Sequence, residues 1–249
     1  MLRSSFVFAL SVMLTSTAMA STLLVDRGLP TTNLNNSAGA SRSNVAWTFG
    51  GNDPADYWMA GDTFKNTSST TWKIDTVRMW TVEPTITGAS LWGGLDGSAI
   101  AVVAGSGVIV PTTYVGGANY QGSSGRFRDM QQVDFNVNIT LTAGQTYDFF
   151  LAGTGGTYGA PFSHASNAAL SGSPQDGADG SMLYANVVGG VFDLTSVGAW
   201  DSSVPGWGWD KSSDINVQVF GSVVPEPASL ALLGIALAGL GATRRRKTT

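Results

Sequence analysis

No cysteine occurs in the 249 residues, so no disulfide can staple the fold and no thiolate can serve as nucleophile or metal ligand. Histidine is nearly absent as well. The single one, His164, lies in Pro161-Phe162-Ser163-His164-Ala165, with no Gly-x-Ser-x-Gly elbow near it to supply a triad nucleophile. It reads as a loop histidine without a catalytic role. A zinc site would need several His or Cys ligands, and the chain does not hold them. Glutamate is as scarce, with Glu83 and Glu226 the only examples, so acid–base chemistry would fall to aspartate. Long apolar runs are confined to the two ends.

Met1 to Ala20 has the anatomy of a secretory signal peptide. Arg3 forms the charged part, Phe6 to Leu14 the apolar part, and Ala18-Met19-Ala20 the small-x-small cleavage pattern. A mature chain is expected to begin at Ser21. The second apolar run, residues 228–243, is uncharged and spans 16 residues. At about 1.5 Å per residue, a helix of that length falls short of the roughly 30 Å hydrocarbon slab. Alanine and glycine dilute it further, so it suits a transmembrane helix for temporary retention better than a permanent span. Val224, Pro225, Glu226 and Pro227 precede it, and the two prolines hold Glu226 in an extended segment. Arg244, Arg245, Arg246 and Lys247 follow it as a cytoplasmic stop.

Setting these ends aside changes the charge. Without Arg3 and the four tail cations, 8 of the 13 Lys and Arg remain; without Glu226, 16 of the 17 acidic residues remain, leaving residues 21–224 at −8. Such a surface opposes nucleic acid and anionic lipid as partners, because both are bound through excess Lys and Arg. Neutral glycans, or divalent cations bridging to anionic polymers, remain compatible with it.

The order of the tail, Val-Pro-Glu-Pro, a short Leu/Ala/Gly-rich helix and an Arg-Arg-Arg-Lys end, resembles the PEP-CTERM sorting signal of Gram-negative bacteria. The resemblance covers residues 224–247 and leaves the body untouched. It implies an exosortase substrate: a membrane protease cleaves near the Pro-Glu-Pro triplet and passes the protein to the cell surface, in a setting of exopolysaccharide and biofilm matrix. An ordinary C-terminal anchor and a buried helix of the domain are the alternatives for the same residues.

The body reads as β throughout. Val133, Phe135, Val137, Ile139 and Leu141 alternate with polar residues, and after Thr142-Ala143-Gly144-Gln145 the alternation resumes at Tyr147, Phe149 and Leu151. This predicts an antiparallel hairpin over 129–152 with one wet face. Within 70–82 the apolar parity switches near Asp75 and Thr76, which predicts a bulge, and Trp72 and Trp80 are assigned to the core. Shorter strands are expected at 22–25, 44–49, 89–92, 99–103, 107–110, 182–185 and 215–220, with Ile215, Val217 and Val219 inward. Glycine-rich 153–180 reads as extended surface loop, and the stretch after Pro205 as a mobile aromatic loop. No internal repeat or convincing amphipathic helix is found. The expected architecture is an all-β, antiparallel two-sheet sandwich, jelly-roll-like, over 21–223.

Three kinds of candidate site lie in the body. Asp176 with Asp179, Asp210 with Asp214, and Asp53 with Asp56 place carboxylates in oxygen-rich loops that are candidate calcium ligands, although aspartate is equally at home in ordinary turns. Tyr57 with Trp58, and Trp207 with Trp209, are candidate stacking platforms for sugar rings, against the usual fate of tryptophan as core. A pair of aspartates could serve a glycosidase-like hydrolase, but no pair is nominated by spacing. The leading expectation is an exported surface or matrix protein, structural or carbohydrate-binding rather than an enzyme. Its expected partners are signal peptidase and exosortase during export, then extracellular polysaccharide. A secreted hydrolase is the competing class.

Overall fold

The computed structural model describes residues 20–30, 48–50, 57–81, 86–112, 120–121, 127–128, 130–155, 163, 175–200 and 214–224. In chain order these form β1 (Thr22–Asp26), β2 (Thr48–Gly50), β3 (Tyr57–Lys65), β4 (Thr71–Thr81), β5 (Ile86–Leu95), β6 (Ala101–Ala104) and β7 (Val108–Thr112). They continue as β8 (Tyr120–Gln121), β9 (Phe127–Arg128), β10 (Met130–Leu141), β11 (Thr146–Gly155), β12 (Met182–Val188), β13 (Val191–Trp200) and β14 (Val217–Val224). No helix occurs among the described residues.

One sheet has the order β1-β14-β4-β10-β7, and the other β13-β12-β3-β11-β5-β6, with β2 added on β3. Every pairing within them is antiparallel. The main core lies between the sheets, where Val77, Met79, Phe135 and Leu141 of the first meet Phe64, Leu91, Phe149 and Leu151 of the second. Phe64 stacks on Tyr147 at 5.3 Å between ring centroids. Each such buried side chain contributes about 1.5–3 kcal/mol by leaving water. Trp72 and Trp80 are both buried, as expected.

The expected hairpin over 129–152 is not one. β10 pairs with β4 and β7, whereas β11 pairs with β3 and β5, so the turn after Leu141 carries the chain across from one sheet to the other. Alternation reports which residues face the core; it does not say whether the next strand lies alongside or opposite. The link from β3 to β4 makes a second crossing of the same kind. Asn66 ties the two together: its Nδ2 donates to Thr70 O at 2.7 Å and Leu141 O at 2.9 Å. Its backbone N–H donates to Gln145 O, and its carbonyl accepts from Gly144 N–H, each at 2.9 Å.

The wet face is also limited to one sheet. Outward residues of β10 are polar and reach solvent, but Phe150, the outward neighbour of Phe149, is fully buried. It belongs to a second apolar cluster with Met59, Ala185 and Val187, against which Tyr57, Trp92 and Phe192 pack. Strand β13 was not expected; the turn that creates it is Gly189-Gly190, with φ of 59° and 76°, the paired positive values of a tight hairpin.

The bulge near Asp75 is present. Phe220 pairs with Thr76 and Gly221 with Ile74, so Asp75 is the extra residue of β4 against β14. Here β14 comes so close to β4 that a Cβ on Gly221 would run into the Lys73 carbonyl oxygen and the Ile74 backbone. Gly221→Ala is expected to cost about 1–3 kcal/mol by overpacking, read as a lower denaturant midpoint with an unchanged slope; an unchanged midpoint would show that the strands separate there without strain.

Candidate functional site

β14 is the last strand of the sandwich and lies inside its sheet, between β1 and β4. Its pairing runs through Val223↔Trp72 to Val224↔Thr71, and Pro225 comes next. No described linker separates the folded domain from the proline-rich triplet. Because β1 is antiparallel to β14, with Thr22 opposite Gly221, the amino end of the domain stands at the same end of the sheet as Val224. Ala20 and Ser21 are exposed there. The two expected processing points, Ala20–Ser21 and the triplet after Val224, therefore belong to neighbouring strands. Ala18, Pro225, Glu226, Pro227, the apolar run 228–243 and Arg244 to Lys247 lie outside the described residues. Among those described, no helix is long and apolar enough to cross a membrane.

The opposite end of β14 is held by a buried polar cluster. Arg27, Asp62 and Asn216 are wholly buried and Asp214 nearly so. Arg27 NH1 donates to Asp62 Oδ2 at 2.9 Å and lies 3.6 Å from Asp214 Oδ1. Its NH2 donates to Thr63 O at 2.6 Å and Gly177 O at 3.0 Å, and its Nε to Asp176 O at 3.2 Å. Four of the five guanidinium N–H donors are thereby hydrogen-bonded, and Asp214 adds a longer ion-pair contact at NH1. The carboxylates are met from the other side as well. Asp62 accepts from the backbone N–H of Thr63 and of Ile215, each at 2.6 Å. Asp214 accepts from the N–H of Asp179 at 3.0 Å and of Gly180 at 2.9 Å. Asn216 Nδ2 donates to Arg27 O and Gly28 O, which closes the cluster onto the end of β1.

Three of the six candidate calcium ligands, Asp176, Asp179 and Asp214, thus converge, but around an arginine. Asp214 faces Arg27 directly. Asp176 supplies Arg27 with its carbonyl, while its carboxylate accepts the Asp26 N–H at 3.0 Å. Asp179 turns its carboxylate to its own loop, accepting the Ser181 N–H at 2.9 Å. Among the described residues no group of three or more His, Cys, Asp or Glu side chains is arranged to hold a metal ion. Asp210, Asp53 and Asp56 lie outside them. Arg27 and Asp62 carried no sequence signal: they are 35 residues apart, and Asp62 sits in an inward position of a strand where an apolar residue is expected.

The aromatic candidates separate. Tyr57 and Trp58 are consecutive in β3 and so point to opposite faces. Trp58 packs against the core between the sheets, and Tyr57 against the outer cluster with Trp92 and Phe192. Trp92 and Phe192 stack at 6.3 Å, so the aromatic surface that the strands do assemble is Tyr57, Trp92 and Phe192. Trp207 and Trp209, like His164 and Glu83, lie outside the described residues.

Burial shifts several acids. It pushes the Asp62 carboxyl up to about 7, against the pull of Arg27 and the two N–H donors and with a further push from Asp214. Asp214 is raised by burial too, partly offset by Arg27. Asp148, on the outward side of β11, is raised to about 6 by burial and by Asp96.

Compared with known proteins, residues 223–247 match the family model described as the PEP-CTERM protein-sorting motif. The chain therefore carries that motif, and its first two residues are the last two of β14. No curated protein and no solved structure matches the chain.

Two outcomes follow. Removing the Asp62 carboxylate leaves Arg27 buried with Asp214 as its remaining anion, so Asp62→Ala is expected to cost about 3–5 kcal/mol in chemical denaturation; a loss below 1 kcal/mol would contradict the pairing. Asp148 has a folded pKa above its unfolded one, so the stability it contributes is present below about pH 4 and is lost as pH rises through about 6. The denaturant midpoint should fall over that range, and Asp148→Asn should remove its own share, at most ~3 kcal/mol for a two-unit shift. A pH-independent difference between the two proteins would contradict the assignment.

Proposed function

We propose that the protein is exported, is held for a time in the cytoplasmic membrane by its tail, and is released to the cell surface or extracellular matrix by an exosortase-type protease. There its β-sandwich serves as a structural or carbohydrate-binding module. The observation that carries this reading is the sorting motif at residues 223–247, joined to the folded domain without a spacer. Signal peptidase and exosortase are its partners in transit, and extracellular polysaccharide its partner at the destination; the acidic body argues against nucleic acid. The sheet orders support a jelly-roll ancestry: β1-β14-β4-β10 faces β3-β11-β5-β6, each set drawing strands from both halves of the chain, with β7 and the β12–β13 hairpin as additions at the edges. Such sandwiches commonly present surfaces for ligands, and Tyr57, Trp92 and Phe192 offer an aromatic one here. This reading requires no calcium, because Arg27 supplies the positive charge between Asp62 and Asp214.

One observation favours a second reading, a hydrolase. Asp148, raised to about 6 and influenced by Asp96, belongs to a pair of carboxylates whose environments differ, as a glycosidase acid and its partner require.

Intact-mass measurement of the surface-released protein tests the sorting reading: the mass should lack residues 1–20 and the basic end 244–247. A released form that still carries its arginines would contradict it. Adding matrix polysaccharide should change tryptophan fluorescence without releasing reducing sugar. Sugar release that is lost in Asp148→Asn would instead establish the hydrolase.

A further inference from the structure

The carboxyl end of β14 is covered on one side only. β4 pairs with β14 as far as Val224↔Thr71, but β1 covers the other side only as far as Thr22↔Gly221. Among the described residues nothing pairs with that edge at Ser222, Val223 and Val224. By register Ser21 stands level with Ser222, yet it does not extend the ladder. Its hydroxyl donates instead to Asp75 Oδ1 at 3.1 Å, on the bulge of β4, so the chain lifts off the sheet at this point. Ser222, Val223 and Val224 are half-buried, in contrast to the buried Val217 and Val219 further back.

We propose that this three-residue edge is a strand-addition site through which the tail-processing protease holds the folded domain. The inference rests on the exosortase reading of the tail. Proteins that read an extended segment do so by pairing with its backbone, which gives affinity with little demand on side chains. β14 up to Gly221 is paired on both sides and cannot be read in that way. From Ser222 onward it can, and this stretch overlaps the start of the sorting motif at residue 223.

The test uses the full chain in a host that holds the processing protease. Three forms are compared: the unaltered chain, one with Thr-Val-Thr inserted between Ala20 and Ser21, and one with Gly-Ser-Gly inserted there. Mass of the amino end verifies leader removal, the thermal midpoint of the body verifies folding, and pulse–chase gives the rate of tail loss. Thr-Val-Thr, which prolongs β1 over the edge, should slow tail loss roughly tenfold, as expected for one or two blocked backbone hydrogen bonds. Gly-Ser-Gly, equal in length but a poor strand former, should leave the rate unchanged. Equal rates in all three, or equal slowing by both insertions, would overturn the proposal while leaving the sorting reading in place. A tail kept by the unaltered chain would overturn the sorting reading and this proposal with it.

Discussion

The structure depends on one buried guanidinium. Arg27 follows directly after β1 and is shut away from water between Asp62 of β3, Asp214 ahead of β14 and the carbonyls of the Asp176–Gly177 turn. Isolated in a core, any of these charges would be untenable; together they are tolerated because four guanidinium donors and every carboxylate oxygen have hydrogen-bond counterparts. A cluster of this kind adds little to stability compared with an apolar core of the same size, but it admits one arrangement of its four segments. In a chain without disulfides, that is how the first strand and the last, almost 200 residues apart in sequence, are fixed in one register.

The consequence reaches the other end of β14. With Ile215 and Asn216 held by Asp62 and by the carbonyls of Arg27 and Gly28, the strand has no freedom to slip, and a shift by one residue would turn Val217 and Val219 out of the core. The Asp75 bulge and the bare backbone of Gly221 absorb the one irregularity on the way. Val224 therefore arrives at a defined place on the sheet, beside the amino end of the domain, and the sorting motif begins within the last two residues of β14. The rigidity is in the body; the motif inherits its position from it.

Much of this was legible in the sequence, and the reasons for the exceptions are physical. Alternation along 133–141 and 147–151 identified the inward residues correctly, and the change of parity near Asp75 located the bulge. Partnership between strands was not legible, since Phe135 and Phe149 point inward in the same pattern whether their strands lie side by side or face each other across the core. The outer face of the second sheet was read as wet because nothing in the local pattern announces a second apolar layer over Phe150. At the site, the tail was plain because its parts are contiguous. Asp176, Asp179 and Asp214 were seen as oxygen donors for a cation, which is what Asp214 and the Asp176 carbonyl are; that the cation is an arginine 149 residues before Asp176 is a fact of tertiary structure alone. Tyr57 and Trp58 looked like a pair because they are adjacent, and in a strand adjacency places them on opposite faces.

The most direct test of this account is native-state hydrogen exchange along β14 in the unaltered protein and in Arg27→Lys, which keeps the charge but cannot direct donors to four oxygens at once. The account predicts that the substitution lowers protection along the whole strand, from Val217 to Val224, far from the altered residue. Protection that falls near Asp214 and Ile215 alone, with Val223 and Val224 unchanged, would show that the buried arginine does not govern where the sorting motif begins.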